Sequence, residues 1–223
     1  AGAAMMSSAA LPLIAARRTI PAIAHAHAAS VIRFFGRSPT AMYAALCYGA
    51  MEICTASILP VYAARTGSTE AEATLLMAAW GLGNLLLVPV VGWIADKMDR
   101  RRVLIGCGVI GVLGSLAIPL FGGALAPTLI VLFIWGGVIV GLYTVGLAYL
   151  GSKFKGEDLA AANAAFAFMY AAGAFVGPGI GGAAMDAWDP NGLFVALAVM
   201  AGLYVTLAAA RYFRVSREAP PPA

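Results

Sequence analysis

Six long apolar runs constrain this chain more than any other feature. Each is about 20 residues long, which is the length of helix needed to cross the hydrocarbon core of a bilayer. A continuously apolar run predicts a helix, because a strand of a membrane barrel would alternate every second residue. We therefore predict an all-α polytopic membrane protein with a six-helix domain over 40–213, its short connections making consecutive helices antiparallel neighbours. The predicted spans are 40–63, 73–95, 103–121, 127–150, 159–184 and 193–212.

The basic residues are distributed asymmetrically about these spans. Of the fourteen Lys and Arg residues, all except Arg65 fall in alternate connections or at the two ends of the chain. Cytoplasmic loops retain Lys and Arg, so the basic connections and the C-terminus are predicted to be cytoplasmic, in a bacterial inner membrane. With 11% charged and 62% hydrophobic residues, the composition excludes an ordinary soluble domain. The net charge of +4 indicates contact with anionic membrane lipid and not with nucleic acid.

The segments outside the six-helix domain are short. Residues 1–16 are apolar but are followed by Arg17 and Arg18, the reverse of the order in a signal peptide. We expect 1–16 to be the tail of a preceding transmembrane helix, which would make the chain a fragment. Residues 17–39 are expected to form an amphipathic cytoplasmic linker, and 214–223 a disordered cytoplasmic tail.

No pattern in the sequence predicts catalysis, a metal site or a cofactor. Cys47, Cys54 and Cys107 lie within apolar runs without the spacing of a metal site, and are expected to be free thiols that pack in the interior. His25 and His27 are two residues apart, so they would not share a helix face, and a solvated linker explains them best. The chain is predicted not to be an enzyme.

Small residues and prolines mark the fifth and second spans. Gly173, Gly177 and Gly181 recur every four residues, a spacing that allows two helix backbones to approach closely. Pro178 in the fifth span and Pro89 in the second each remove a backbone hydrogen bond and are expected to kink or loosen their helices. A helix of this kind suits a protein that changes shape, although static bundles contain such helices too.

Glu52 is the single acidic residue inside a predicted span. It lies about 18 Å into the membrane at 1.5 Å per residue, near the midplane. A carboxylate there is expected to face protein or water, where it could exchange a proton, hold a cationic group, or only hydrogen-bond a neighbouring helix. Tyr48 and Thr55 share its helix face. The remaining polar candidates at depth, which could line a cavity or join helices, are Asn84, Tyr143, Thr144, Asn163 and Tyr170.

The connection between the second and third spans carries a motif. It reads Gly92, three residues, Asp96, Lys97, one residue, Asp99, then Arg100, Arg101 and Arg102. This pattern resembles the cytoplasmic signature of the major facilitator superfamily, except that the family usually has Gly where this chain has Asp99. Asp tolerates a left-handed turn better than most residues do, so the turn is expected to persist. We also expect Gly92 to allow a close helix approach.

A second element agrees with this resemblance. Residues 177–182, with their Gly-Pro start and Gly-Gly end, resemble a helix element of the same superfamily. The order of the elements is similar to the C-terminal six-helix half of bacterial members, of the YcaD-like branch. The resemblance covers about 38–213 and implies half of a twelve-helix fold, itself built as a 3+3 inverted repeat.

The resemblance also implies a function. It is that of a secondary transporter moving a small solute by rocker-switch alternating access, with protons as a candidate coupling ion and the N-terminal half of the same polypeptide as partner. Asp96 and the three arginines would form a cytoplasmic latch. Two alternatives stay open, namely a half-transporter that works as a homodimer, and a membrane scaffold or receptor that transports nothing.

Overall fold

The structure is a computed structural model that describes residues 28–121 and 124–218. Within these ranges it is built from helices, and no strand occurs. The predicted tail at 1–16, most of the linker, His25 and His27 lie outside the described residues. The helices are α1 (Ala28–Arg37), α2 (Pro39–Arg65), α3 (Glu70–Lys97), α4 (Arg100–Ala117, extended by a 3-10 turn Ile118–Phe121), α5 (Leu125–Ile139), α6 (Gly141–Lys153), α7 (Gly156–Ala187) and α8 (Gly192–Glu218).

These helices form six spans that are long and apolar enough to cross a membrane, with α5 and α6 together making the fourth, which confirms the six predicted spans. The spans extend past their predicted bounds at most ends, and side-chain caps account for this at the starts of α3 and α4. At the start of α3, for example, Thr69 and Glu72 form a capping box in which each side chain bonds the other's backbone amide. The helix α8 continues to Glu218, so the disorder predicted from 214 onward is wrong for residues 214–218.

The fourth span is divided, which the sequence did not predict. The helix α5 ends at Ile139, and α6 begins at Gly141. The carbonyl oxygen of Val140 accepts from the backbone amides of both Tyr143 and Thr144, at 3.0 and 3.1 Å. The helical ladder is therefore irregular at mid-span without a proline. By contrast, α3 and α7 stay helical through Pro89 and Pro178, so the predicted loosening does not interrupt either helix.

The strongest packing joins helices that are not consecutive in the chain. The pairs are α2 with α7, α3 with α5, and α4 with α8. Consecutive helices are also in contact, as predicted from their short connections, but these contacts are less extensive. If the first, second and third spans are exchanged with the fourth, fifth and sixth, the α2–α7 pair becomes the α5–α3 pair. The α4–α8 pair, which joins the third and sixth spans, is unchanged by this exchange. The packing thus has the symmetry of a 3+3 inverted repeat.

Glycine explains why α2 pairs with α7. The ladder Gly173, Gly177 and Gly181 lies against Leu46, Ala50 and Cys54, so one stripe of each helix faces the other. A Cβ atom added to Gly177 would overlap the carbonyl oxygen of Ala50 and lie 2.7 Å from its Cα. Backbones this close gain dispersion contacts that lipid cannot replace, which is how small residues drive helix association in membranes.

The two ends of the bundle carry different charges. One end, here called the basic end, gathers Arg33, Arg37, Arg100 to Arg102 and Lys153. At the opposite, acidic end, Arg65 of α2 forms ion pairs with Asp186 and Asp189 at 2.8 and 3.0 Å. At the basic end Asp158 accepts from Arg33 and Arg37, at 3.0 and 3.4 Å. Ion pairs therefore link the α1–α2 segment to α7 at both ends.

We predict that Gly177→Ala lowers the thermal stability of the protein, since the added methyl group meets the backbone of α2. The expected loss is about 1–3 kcal/mol, the usual effect of overpacking. Gly179→Ala is the matched control, because a Cβ there meets nothing within 4 Å. Unfolding can be followed in detergent with a thiol-reactive dye, since Cys47, Cys54 and Cys107 are all buried and free. Equal melting of the two variants would contradict the proposed packing.

Candidate functional site: a polar cluster at mid-depth

Glu52 lies at the centre of its helix and is held there by a tyrosine. It is thirteen residues from both Pro39 and Arg65, the two ends of α2. The hydroxyl group of Tyr170, on α7, donates a hydrogen bond of 2.8 Å to the Oε2 atom of Glu52. Tyr170 is itself near the middle of Gly156–Ala187. The acid and its partner therefore meet at mid-depth, where water is scarce and a buried carboxyl group requires hydrogen bonds.

Tyr170 packs against two further tyrosines. The rings of Tyr48, Tyr143 and Tyr170 pack together with centroid separations of 5.8, 6.1 and 5.5 Å. They come from α2, α6 and α7 respectively. Their tilted and edge-on contacts are the geometries that aromatic rings prefer, and they stabilise the positions of the three rings. Phe166 supports the group from behind, 5.2 Å from the ring of Tyr143.

A fourth helix contributes Asn84. The hydroxyl group of Tyr48 donates to the Oδ1 atom of Asn84 at 3.5 Å, and the amide group of Asn84 donates to the carbonyl oxygen of Trp80 at 3.3 Å. Asn84 is at the midpoint of α3. We define the polar cluster as the side chains that these contacts bring together in one region, which are Tyr48, Glu52, Asn84, Tyr143 and Tyr170.

The structure does not bring three of the predicted residues into this cluster. Thr55 is fully buried and donates to the carbonyl oxygen of Met51 at 2.7 Å, within its own helix. Thr144 does the same toward Val140 at 3.3 Å. Asn163 is exposed on α7, two turns before Tyr170. Helix periodicity alone placed Thr55 beside Glu52, but a separation of three residues carries its side chain round to the core.

Gly49 is a site residue that the sequence analysis missed. A Cβ atom at this position would overlap the backbone carbonyl of Tyr170. The absent side chain lets α2 approach α7 one turn before Glu52, which sets Tyr170 at hydrogen-bonding distance from the acid. The signal was available, because Gly49 lies between Tyr48 and Glu52 in the sequence.

One side of the polar cluster is not covered by described residues. Glu52, Asn84, Tyr143 and Tyr170 are all half-buried, whereas Tyr48 is buried. The helices α3 and α7 are the least buried of the six spans, with 17% and 22% of their most apolar segments enclosed, against 50% for α2. A carboxyl group on a lipid-facing surface would cost several kcal/mol. This face therefore requires a protein or aqueous neighbour.

The four bases of the motif between α3 and α4 all have partners within the six-helix bundle. Arg100 donates to the carbonyl oxygen of Ala148 at 2.9 Å, Arg101 to the hydroxyl of Tyr149 at 2.9 Å, and Arg102 to the hydroxyl of Tyr212 at 2.7 Å. The ammonium group of Lys97 lies 3.8 Å above the ring of Trp93. These contacts anchor the four bases to α3, α6 and α8.

The acid of the motif is left exposed. The side chain of Asp96 is 77% exposed, and its one ion pair among the described residues is a 3.8 Å contact with Arg100. Asp99 accepts from the backbone amide of Arg101 at 2.8 Å and so caps α4. Its φ of −58° is not left-handed, so the expected left-handed turn is absent and Asp is as suitable here as Gly. The close approach expected at Gly92 is also absent, since a Cβ there meets no described atom within 4 Å.

The structure is that of an integral membrane protein of the polytopic helical class. It has six membrane-spanning helices in a twofold packing pattern, an acid–tyrosine cluster at mid-depth, and a basic motif between the second and third spans. The profile of the Major Facilitator Superfamily matches residues 41–223. The chain belongs to this superfamily.

Proteins similar in sequence to this chain are named as members of the same superfamily. The chain is 28% identical over 149 residues to an uncharacterised MFS-type transporter of Bacillus subtilis, YfkF, and 31% identical over 150 residues to one of Yersinia enterocolitica. These matches cover 66% and 67% of this chain, but 37% and 38% of the two relatives. The chain thus spans well under half the length of the relatives that it matches.

We predict that Tyr170→Phe destabilises the protein by about 1 kcal/mol, the typical worth of a hydrogen bond between membrane helices. Tyr43→Phe is the control, because the hydroxyl of Tyr43 has no hydrogen bond among the described residues. The loss should disappear in a Glu52→Leu background, because leucine offers the tyrosine no acceptor, and the two changes should therefore be non-additive. Additive losses in thermal unfolding would mean that the two side chains do not interact.

Proposed function

We propose that this bundle is one half of a secondary active transporter that moves a small solute by alternating access. The observation that carries the proposal is the hydrogen-bonded Glu52 at mid-depth, on a face that the rest of the bundle leaves partly uncovered. A solute or ion that reaches this carboxylate has travelled half the thickness of the membrane. In a static bundle, an amide side chain could make the same hydrogen bond at this depth with a smaller desolvation cost, so the presence of an acid favours a function.

A second six-helix half is the partner that we propose for the uncovered face. The exposed apolar residues of α3 and α7 flank the polar cluster, and a partner that packed on them would close the site from the side. The largest of these side chains are Leu85, Trp93, Phe168 and Phe175, which are 59–89% exposed. Substrate would then bind between the halves. A second copy of this chain, in a homodimer, could also cover the uncovered face. A scaffold that transports nothing would not need a solute site between two halves.

Orientation follows from the charge distribution. We propose that the basic end faces the cytoplasm of a bacterial cell, because retention of Lys and Arg on that side is the general rule for helical membrane proteins. Membership of the YcaD-like branch remains a prediction from the sequence, as does the absence of enzymatic activity.

The role of Glu52 can be tested in proteoliposomes that hold the transporter with both halves. A thermal-shift panel first identifies a stabilising solute, and a pH-sensitive dye inside the vesicles then reports proton movement when that solute is added. We expect Glu52→Gln to abolish proton movement while the protein still inserts and folds, because an amide cannot exchange a proton. Glu70→Gln, an exposed acid at the acidic end, should leave it unchanged.

The same assay separates two roles for the acid. If Glu52 couples protons, solute exchange without a pH gradient should survive in Glu52→Gln. If Glu52 instead holds a cationic group of the solute, exchange and binding should be lost together. Proton movement equal to that of the unaltered protein would overturn both roles.

Asp96 is the residue that we propose as one side of a latch toward the other half. Its exposure and its weak pairing leave the carboxylate available, while the arginines beside it are already anchored. We expect Asp96→Asn to slow transport without changing the affinity for solute. Asp99→Asn is the matched control, since it removes one charge from the same turn but keeps the helix cap. Normal turnover in Asp96→Asn, or equal slowing in both variants, would contradict the latch.

A further inference from the structure

A small cavity at the basic end is lined by four cationic side chains. It has a volume of about 140 Å³ and lies where the start of α2 meets α4 and the final turns of α6 and α8. Its cations are Arg37, Arg101, Lys153 and Arg211, and no carboxylate is among the residues that line it. Since a water molecule takes about 30 Å³ of liquid volume, the cavity has room for an anion of the size of phosphate.

The cations have little compensation from the protein. Arg37 shares Asp158 with Arg33, and this is the one ion pair that the four make among the described residues. Lys153 donates to the backbone carbonyl of Arg37, and Arg101 to the hydroxyl of Tyr149. Four positive charges around one cavity repel each other unless an anion joins them.

Ser38 gives an independent indication of a ligand. It lines the cavity, is 1% exposed, and its hydroxyl group has no hydrogen-bond partner among the described residues. A buried hydroxyl without a partner costs about 1–3 kcal/mol, so a native structure normally supplies one. An oxygen atom of an anion in the cavity would accept this hydrogen bond.

The start of α2 strengthens the site. Ser38 is the N-cap residue of this 27-residue helix, but its side chain does not cap the first turn. The first backbone hydrogen bond runs from the amide of Met42 to the carbonyl of Ser38, at 3.2 Å, which leaves the amides of Thr40 and Ala41 without a partner in the helix. Unpaired amides and the helix dipole make a helix start favourable for phosphate.

We propose that this cavity binds a phosphate group, held by the Ser38 hydroxyl, the first turn of α2 and the side chains of Arg37, Arg101, Lys153 and Arg211. The group comes either from the head of an anionic phospholipid or from a soluble phosphate, because both present the same oxygens to the site. Binding joins the start of α2 to the ends of α6 and α8. This site is separate from the polar cluster, and its test does not depend on transport.

The experiment measures thermal unfolding of the full 223-residue chain in detergent with a thiol-reactive dye. Inorganic phosphate is compared with chloride at equal ionic strength, and phosphatidylglycerol in mixed micelles with phosphatidylcholine. A midpoint raised by phosphate over chloride identifies a soluble phosphate as sufficient. A midpoint raised by phosphatidylglycerol alone identifies the lipid head. No specific rise with either compound would overturn the proposal.

Variants locate the effect. Arg211→Gln and Ser38→Ala should each raise the concentration of phosphate or phosphatidylglycerol needed for half of the shift, by about tenfold for the arginine and less for the serine. Arg214→Gln is the matched control, because it removes a charge from the same helix three residues further on, outside the cavity. Equal effects of Arg211→Gln and Arg214→Gln would mean that general surface charge causes the shift, and the site would be wrong. Ser38→Ala removes no charge and tests the site even if Arg211→Gln fails to fold.

Discussion

The structure depends on the backbone contact between α2 and α7. Lipid is as apolar as the helix surfaces, so burial of apolar area does not drive helices together in a membrane as it does in water. Close packing must replace it, and Gly173, Gly177 and Gly181 allow this by removing the side chains that would separate the two backbones. The pair is also tied by ion pairs near both of its ends. Exposed pairs of this kind add little stability, so the glycine contact sets which turn of α7 faces which turn of α2.

That register decides the geometry of the polar cluster. Glu52 and Tyr170 belong to the two paired helices, so their hydrogen bond forms only where α2 and α7 are correctly aligned. Gly49 removes the last obstruction beside them. The same small-residue contact that stabilises the bundle therefore also positions its one acid at mid-depth. A polar site on two helices with a looser interface would lose this alignment with every small rotation.

Much of this could be predicted from the sequence, and the failures have physical causes. The six spans, the grouping of positive charge and the depth of Glu52 follow from hydropathy and spacing along one helix. Which helices pair does not, because short connections suggest sequential neighbours whereas the glycine stripes select partners far apart in the chain. The same limit applies to Thr55, whose orientation depends on where α2 meets its neighbours. Asp99 departs from the family pattern, but its side chain caps α4. This role could not be predicted, because the capping hydrogen bond is visible only once the conformation of the turn is known.

Tight packing also limits where movement can occur. A carbonyl oxygen of α2 lies against Gly177, and one of α5 against Gly83, so both pairs pack backbone against backbone. The outer faces of α3 and α7 have no such contacts among the described residues, although both helices carry parts of the polar cluster. In the proposed transport cycle, a change in access to Glu52 would take place at this uncovered face, where the described helices leave room for it.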